Sequence, residues 1–218
     1  MKLEYLGHAS FYITTETKIR ILIDPYDPSL GYKSFNRSAD YMVLTHGHED
    51  HSYIASVYGR CRVIQASAGV QMLDGVRLRG IVADHDANGG TLRGKVVMVH
   101  LEADGIRLLH MGDFGQNSLT EEQLKEIESP DILILPVGGF LTMGPKEARV
   151  VLEQVKPRVA IPMHYLTAVL DRCVYPLVRV EEFTSKYPRV RRLKTSEVVL
   201  EAGKLPPPTE IWVMEHTY

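Results

Sequence analysis

Residues 41–51 read YMVLTHGHEDH, an apolar run followed at once by three histidines and two acids in the six positions from His46 to His51. Imidazoles and carboxylates crowded together are costly to bury and repel one another when like-charged. A cation that accepts both residue types removes both costs. YMVL reads as a buried strand, so the cluster stands where a rigid element ends and the chain turns, with a short helix predicted over residues 51–57. His46 and His48, two apart in extended backbone, point to the same side and can share one ion. Asp50 and His51 lie past the turn and can face a second.

Such a centre needs further ligands, and three downstream positions qualify, each at the end of an apolar strand. His85 in ADHDANGG follows IVA and enters a glycine-rich loop, with Asp84 and Asp86 expected to orient its second ring nitrogen. Asp113 in LLHMGDFG carries two oxygens that can bridge two ions, and Gly112 and Gly115 are expected to let the backbone bend there. His164 ends AIPMH. The set divides into His46, His48 and His85 for one ion and Asp50, His51 and His164 for the other, with Asp113 between. Singly, each has a plainer reading as a turn aspartate, a loop histidine or a core histidine; the complete set arises by chance far less readily.

The chain has 218 residues, 44% hydrophobic and 24% charged, with a formal net charge of −2. That suffices for one core in a single domain over residues 1–218, and it lacks the basic excess that a nucleic acid or an anionic membrane would require. The opening MKLEYLGHASFYI is broken by Glu4 and His8 and is not read as a signal peptide, and no run reaches transmembrane length. Cys61 and Cys173 fit a reduced, cytoplasmic protein, and neither belongs to a CxxC pair.

Short β-rich segments fill the first half, and Asp104-Gly105 predicts a two-residue hairpin within residues 96–111. SLTEEQLKEIE predicts a helix starting at Ser118 or Thr120, PKEARVVLEQVK a helix opened by Pro145, and VEEFTSKY a third. The strands DILILPV and RVAIPM alternate with them, and VRRLK, EVVLEA and EIWVM follow. This order predicts two sheets packed face to face with helices outside.

On these motifs the chain resembles the metallo-β-lactamase-fold hydrolases. Asp24 in LIDP, HGHEDH, His85 ahead of glycines, Gly112-Asp113 and the late His164 match that superfamily in order and spacing over nearly the whole chain. LGHASFYI, DHDANGG, LPVGG and IPMHY look like the branch that includes L-ascorbate-6-phosphate lactonase. The resemblance implies an α/β fold, a four-layer αββα sandwich of two mixed β-sheets flanked by helices, with the metals at one edge. It implies the same ligand roles, held around two divalent metal ions, Zn2+ foremost, with Mn2+ or Fe2+ also suited to such donors. Flavodiiron oxygen reductases of this superfamily carry glutamate where His48 stands; here the glutamate is Glu49, one place later. Neither the inserted domain of the nucleases nor the helical C-terminal domain of glyoxalase II-type thioesterases is evident.

The implied reaction is hydrolysis by a metal-bound hydroxide of a small metabolite, neutral or anionic, at a lactone, ester, amide or phosphodiester, with Asp50 and Asp113 orienting the nucleophile or shuttling a proton. The alternative is a non-catalytic metal-binding or ligand-sensing module; retention of a bridging acid favours the enzyme. A small-molecule substrate is the expected partner, and a homo-oligomer whose neighbouring subunit completes the glycine-rich loops is compatible with the sequence. His8 supports a ligand, contacts substrate or is structural. Asp24 is expected to orient the metal loop through backbone hydrogen bonds. Tyr165 donates to a developing oxyanion or packs. His100 and His216 read as structural or surface residues, and His110, on the strand leading to Asp113, either supports the ligands or packs, packing being the plainer reading. Residues 26–38 either close over the metals, offering Lys33 and Arg37 to an anion, or form an ordinary connection.

Overall fold

The computed structural model describes residues 1–170 and 174–217; Cys173 lies outside them. Strands β1 (Lys2–Gly7), β2 (Ser10–Thr14), β3 (Arg20–Ile23), β4 (Tyr41–Leu44) and β5 (Arg62–Gln65) are followed by β6 (Gly69–Leu73), β7 (Val76–Asp84), β8 (Lys95–Ala103) and β9 (Ile106–His110). Helix α1 (Glu121–Glu126), β10 (Ile132–Pro136), α2 (Pro145–Val155), β11 (Val159–Met163) and α3 (Glu181–Thr184) come next. The short strands β12 (Val190–Arg192), β13 (Glu197–Val199) and β14 (Glu210–Val213) complete the order.

Two mixed sheets result. The first runs β13-β1-β2-β3-β4-β5 and the second β12-β14-β11-β10-β9-β8-β7-β6. Hairpins make β1 to β3 and β6 to β9 antiparallel, while β3-β4-β5 and β9-β10-β11-β14 are parallel. The YMVL of β4 and the ILILP of β10 are buried at every residue, as strands covered on both faces must be.

Between the sheets, Phe11, Ile13 and Val43 meet Leu78, Leu108, Ile134 and Ile161. The far face of the second sheet packs under α2 through Ala148, Val151, Leu152 and Val155, an i, i+3, i+4, i+7 stripe. Among the described residues no α-helix lies over the far face of the first sheet. Tyr12, Leu22 and Met42 are covered by Tyr26, Leu30, Tyr32, Phe35, Leu166 and Leu177 from loops and a 3-10 turn at Pro28–Leu30. The outermost layer on that side of the αββα sandwich is therefore aromatic loop.

Two helices need adjusting, one helix start is narrowed, and one strand is new. Residues 51–57 hold only a 3-10 turn, Ile54–Ser56, because Tyr53 donates its N–H to Pro25 and Val57 is drawn into a bridge with Arg37. The helix expected from VEEFTSKY is one turn, and α1 starts after Thr120, whose capping box with Gln123 settles the choice against Ser118. β6 was not expected: Asp74-Gly75 forms a second two-residue hairpin, like Asp104-Gly105, with both residues at positive φ in each turn.

Candidate metal centre

The side chains singled out in the sequence converge at one edge of the two sheets, beyond the C-terminal ends of β4, β7, β9 and β11, where open α/β sheets place ligand sites. Two groups form. His46, His48, His85 and Asp113 bring one donor atom each within 4.8 Å of one another, and so do His8, Asp50, His51 and His164. Asp113 joins them. Its Oδ2 lies 3.3 Å from His85 Nε2 and 3.8 Å from His46 Nε2, while its Oδ1 lies 3.1 Å from His51 Nε2 and 3.5 Å from His164 Nε2. The remaining short separations are His85 Nε2 to His48 Nδ1 at 3.1 Å and His51 Nε2 to Asp50 Oδ2 at 3.6 Å.

The outward nitrogens show which ring positions are free. Thr45 gives its single hydroxyl proton to Asp24 Oδ2 at 2.6 Å, so His46 Nδ1–H donates to Thr45 Oγ1 at 3.0 Å and leaves a lone pair on Nε2. His85 Nδ1–H donates to the carbonyl of Leu141 at 3.1 Å, and His51 Nδ1–H to Asp24 Oδ2 at 3.1 Å. Three imidazoles are thus held by oxygen on their outer nitrogen with the inner one turned toward Asp113, as metal-ligating histidines are. His46 Nε2, His51 Nε2 and Asp113 Oδ1 are buried with no hydrogen-bond partner. Orphaned polar atoms of this kind are costly unless a further group satisfies them. Donors about 2.0–2.2 Å from a tetrahedral zinc stand roughly 3.3 Å apart, and the separations here bracket that value.

Protonation follows from burial and charge. Burial, with the neighbouring His51 charge, pushes the His46 pKa down to about 3, and burial brings His164 down to about 3 as well. His48 is lowered by burial and then by His85 and Arg93 beside it. These rings are neutral at pH 7, the form that binds a cation. Burial opposes ionisation of Asp113, yet the imidazoles of His164 and His51 facing it more than offset that and hold the carboxyl well below its usual range. His51 goes the other way: burial lowers it, but Asp113 and Asp24 pull it well above the ordinary histidine value. His51 therefore lies between two carboxylates, where a proton or a metal ion balances the charge.

Several expected supports take definite places. Asp24, fully buried, accepts from Thr45 N at 2.8 Å as well as from the Thr45 hydroxyl and His51, so it orients the loop through side-chain as well as backbone bonds. His8 Nε2 lies 3.0 Å from Asp50 Oδ2, and its carbonyl accepts from His164 N at 2.9 Å, so it braces both residues. His110 is more than packing: Nε2–H donates to Ala9 O at 2.8 Å and Nδ1 accepts from Gly112 N, tying the β1-β2 turn to the Asp113 strand. His8, Asp24 and His164 have φ of 52°, 44° and 52°, a left-handed backbone that costs non-glycine residues about 1–3 kcal/mol each and gathers at functional sites.

Some expectations fail, and others resolve to one of their alternatives. Asp84 pairs with Lys95, and Asp86 accepts four backbone N–H groups of its own loop, so neither orients His85. Gly112 does bend the chain, with φ 55°, but Gly115 matters by closeness: a Cβ there would collide with the His85 and Asp86 backbone. Tyr165 is packed in the helix-side core with Val180 and Phe183. Arg37 is not offered to an anion, since it pairs with Glu4 at 2.8 Å and lies over the Tyr12 and Phe35 rings. Only the start of residues 26–38 borders the site: Asp27, Ser29 and Leu30 join Glu49, Asp50, Tyr53 and Tyr175 around a cavity of about 420 Å³. His100 is fully buried, and the His216 ring packs edge-on against Tyr32. No helix among the described residues is long and apolar enough to cross a membrane.

Comparison with known proteins agrees with this geometry. The profile of the beta-lactamase superfamily domain matches residues 2–164. A UPF0173 metal-dependent hydrolase of Archaeoglobus fulgidus is 31% identical over 94% of this chain and 97% of its own. One from Thermococcus onnurineus is 33% identical over 77% and 85%. A Thermotoga maritima structure, described as a proposed zinc-dependent hydrolase of the metallo-β-lactamase superfamily, superposes with a TM-score of 0.80 at 33% identity, covering 99% of each chain. Since the matched stretch runs from the first strand to His164, the chain belongs to the metallo-β-lactamase superfamily, among its metal-dependent hydrolases.

Proposed function

We propose that this hydrolase is dinuclear and acts on a lactone, ester or phosphodiester bond of a small molecule. The observation that carries the reading is the division of Asp113: its two oxygens face two separate sets of nitrogen donors. His46, His48 and His85 would hold one divalent ion, Zn2+ foremost and Mn2+ or Fe2+ also suited, and Asp50, His51 and His164 the other, with Asp113 between. Bound cations supply Lewis acidity toward the scissile carbonyl or phosphoryl oxygen and acidify a water toward a pKa of about 7.

The chain's own groups do the rest. Asp50, held by His8 at 3.0 Å, borders the 420 Å³ cavity and is placed to orient the attacking water and take its proton. His8 keeps that carboxylate from swinging away. Asp24 fixes Thr45 and His51, so the two halves of HGHEDH keep one geometry. Tyr53 and Tyr175 wall the cavity and suit a small organic substrate.

The test is turnover of a panel of lactones, aryl esters and phosphodiesters before and after chelation. Chelation is expected to abolish hydrolysis and added zinc or manganese to restore it. Asp113→Ala is expected to lose about a hundredfold to a thousandfold in kcat while keeping the wild-type circular dichroism, the scale reached when preorganised electrostatics are removed. Unchanged turnover in that variant would overturn the dinuclear reading.

A further inference from the structure

A second cavity, of about 430 Å³, lies beside the His85 loop, with Asp86, Leu92, Arg93, Leu141, Met143 and Glu147 in its wall. Leu141 links it to the centre, because its carbonyl holds His85 Nδ1 at 3.1 Å. Arg93 is the one cationic residue in that lining. Its guanidinium makes no ion pair or hydrogen bond with any described residue, and its Nε is buried without a partner. Both acids in the same wall are already engaged. Asp86 accepts from the N–H groups of Asn88, Gly90, Leu92 and Arg93 at 2.8–3.0 Å, and Glu147 Oε2 from Gly144 N at 3.1 Å.

A guanidinium left in this state meets a planar oxyanion with paired, charge-assisted hydrogen bonds. The cavity at Asp50 differs, since Asp27, Glu49 and Asp50 line it and no cation does among the described residues. In the second cavity Arg93 is the group able to receive an anion, beside two carboxylates whose oxygens are turned to backbone N–H groups. A single unpaired guanidinium balances one negative charge, which favours a carboxylate over a phosphate dianion. We infer that Arg93 anchors a carboxylate on the non-reacting end of the substrate, with the exposed side chains of Leu92 and Leu141 flanking the short carbon chain between it and the scissile bond. This rests on the hydrolase reading above and adds the substrate class to it.

The test uses metal-loaded protein and two aryl esters of matched acyl length, 4-nitrophenyl valerate and mono-4-nitrophenyl glutarate. Arg93→Gln is expected to lower the ratio of kcat/KM for the glutarate over the valerate ester by at least about tenfold, mainly through KM, with Arg93→Lys recovering part of it. A calorimetric titration with glutarate reads the subsite without turnover, and its Kd is expected to weaken at least about tenfold in Arg93→Gln. A ratio that moves less than about twofold, or glutarate titrating alike on both proteins, overturns the anchor. If the wild-type protein hydrolyses neither ester, the ester form of the hydrolase reading fails, while the titration still decides the role of Arg93.

Discussion

Each oxygen of Asp113 sits against a different pair of imidazoles. That the donors would gather was legible in the sequence: HGHEDH packs four candidate donors into six residues, and each remaining donor ends an apolar run. Arg93 was not legible. Its meaning lies in the missing partner, a property of three dimensions, and the only local hint is its place in the glycine-bounded loop after His85. Asp84 and Asp86 misled for the same reason, since adjacency in sequence says nothing about which backbone amides a carboxylate will find. His100 carries a prediction at this scale. It is buried with neither ring nitrogen hydrogen-bonded, and burial lowers its pKa despite the opposing pull of Glu102 and Glu128. The unfolded chain then takes up a proton near pH 6.5 before the folded one does, so this residue's share of stability is full above that pH and lost as pH falls below it. Urea midpoints of metal-loaded wild type and His100→Leu at pH 7.5 and 5.5 check it. The wild type is expected to lose more stability than the variant on acidification; equal losses would show that His100 does not titrate with unfolding.

Among the elements, strands were read more surely than helices. Apolar runs such as YMVL and ILILP identify buried strands directly, and Asp104-Gly105 located its hairpin. β6 escaped because its exposed Val70 and Met72 sit on an edge strand with no alternating pattern to announce it. The helices predicted over 51–57 and 180–187 shrank because tertiary hydrogen bonds and aromatic packing outcompete weak local propensity. What converts strand ends into a site is how closely they approach. Gly115 lies against the backbone of His85 and Asp86, where no side chain fits. Gly115→Ala is expected to cost roughly 1–3 kcal/mol in urea unfolding and to weaken metal retention, as overpacking does. A variant with the wild-type midpoint and metal content would show that the loop gives way without cost.

Across the whole molecule, the two-sheet sandwich followed from the order of elements, strands first and then alternating helices and strands. Its asymmetry did not. Among the described residues the α-helical layer covers the second sheet, and the first is covered by the aromatic loops around Tyr26, Tyr32 and Phe35, which sequence alone left undecided between a lid and a connection. That loop layer brings Asp27, Ser29 and Leu30 to the edge of the cavity at Asp50, while the loops after β7 and β10 bring Arg93 and Leu141 to the other side. The centre thus lies between a cavity lined by Asp27, Glu49 and Asp50 and one in which Arg93 stands beside Asp86 and Glu147. Everything proposed for it depends on two ions meeting at Asp113. The most direct test is elemental analysis of the purified protein after zinc loading and desalting, beside the Asp113→Ala variant. Two metal equivalents per chain in the wild type, falling to one or fewer in the variant, is the predicted result. A wild type that retains one equivalent or none under the same treatment would contradict it.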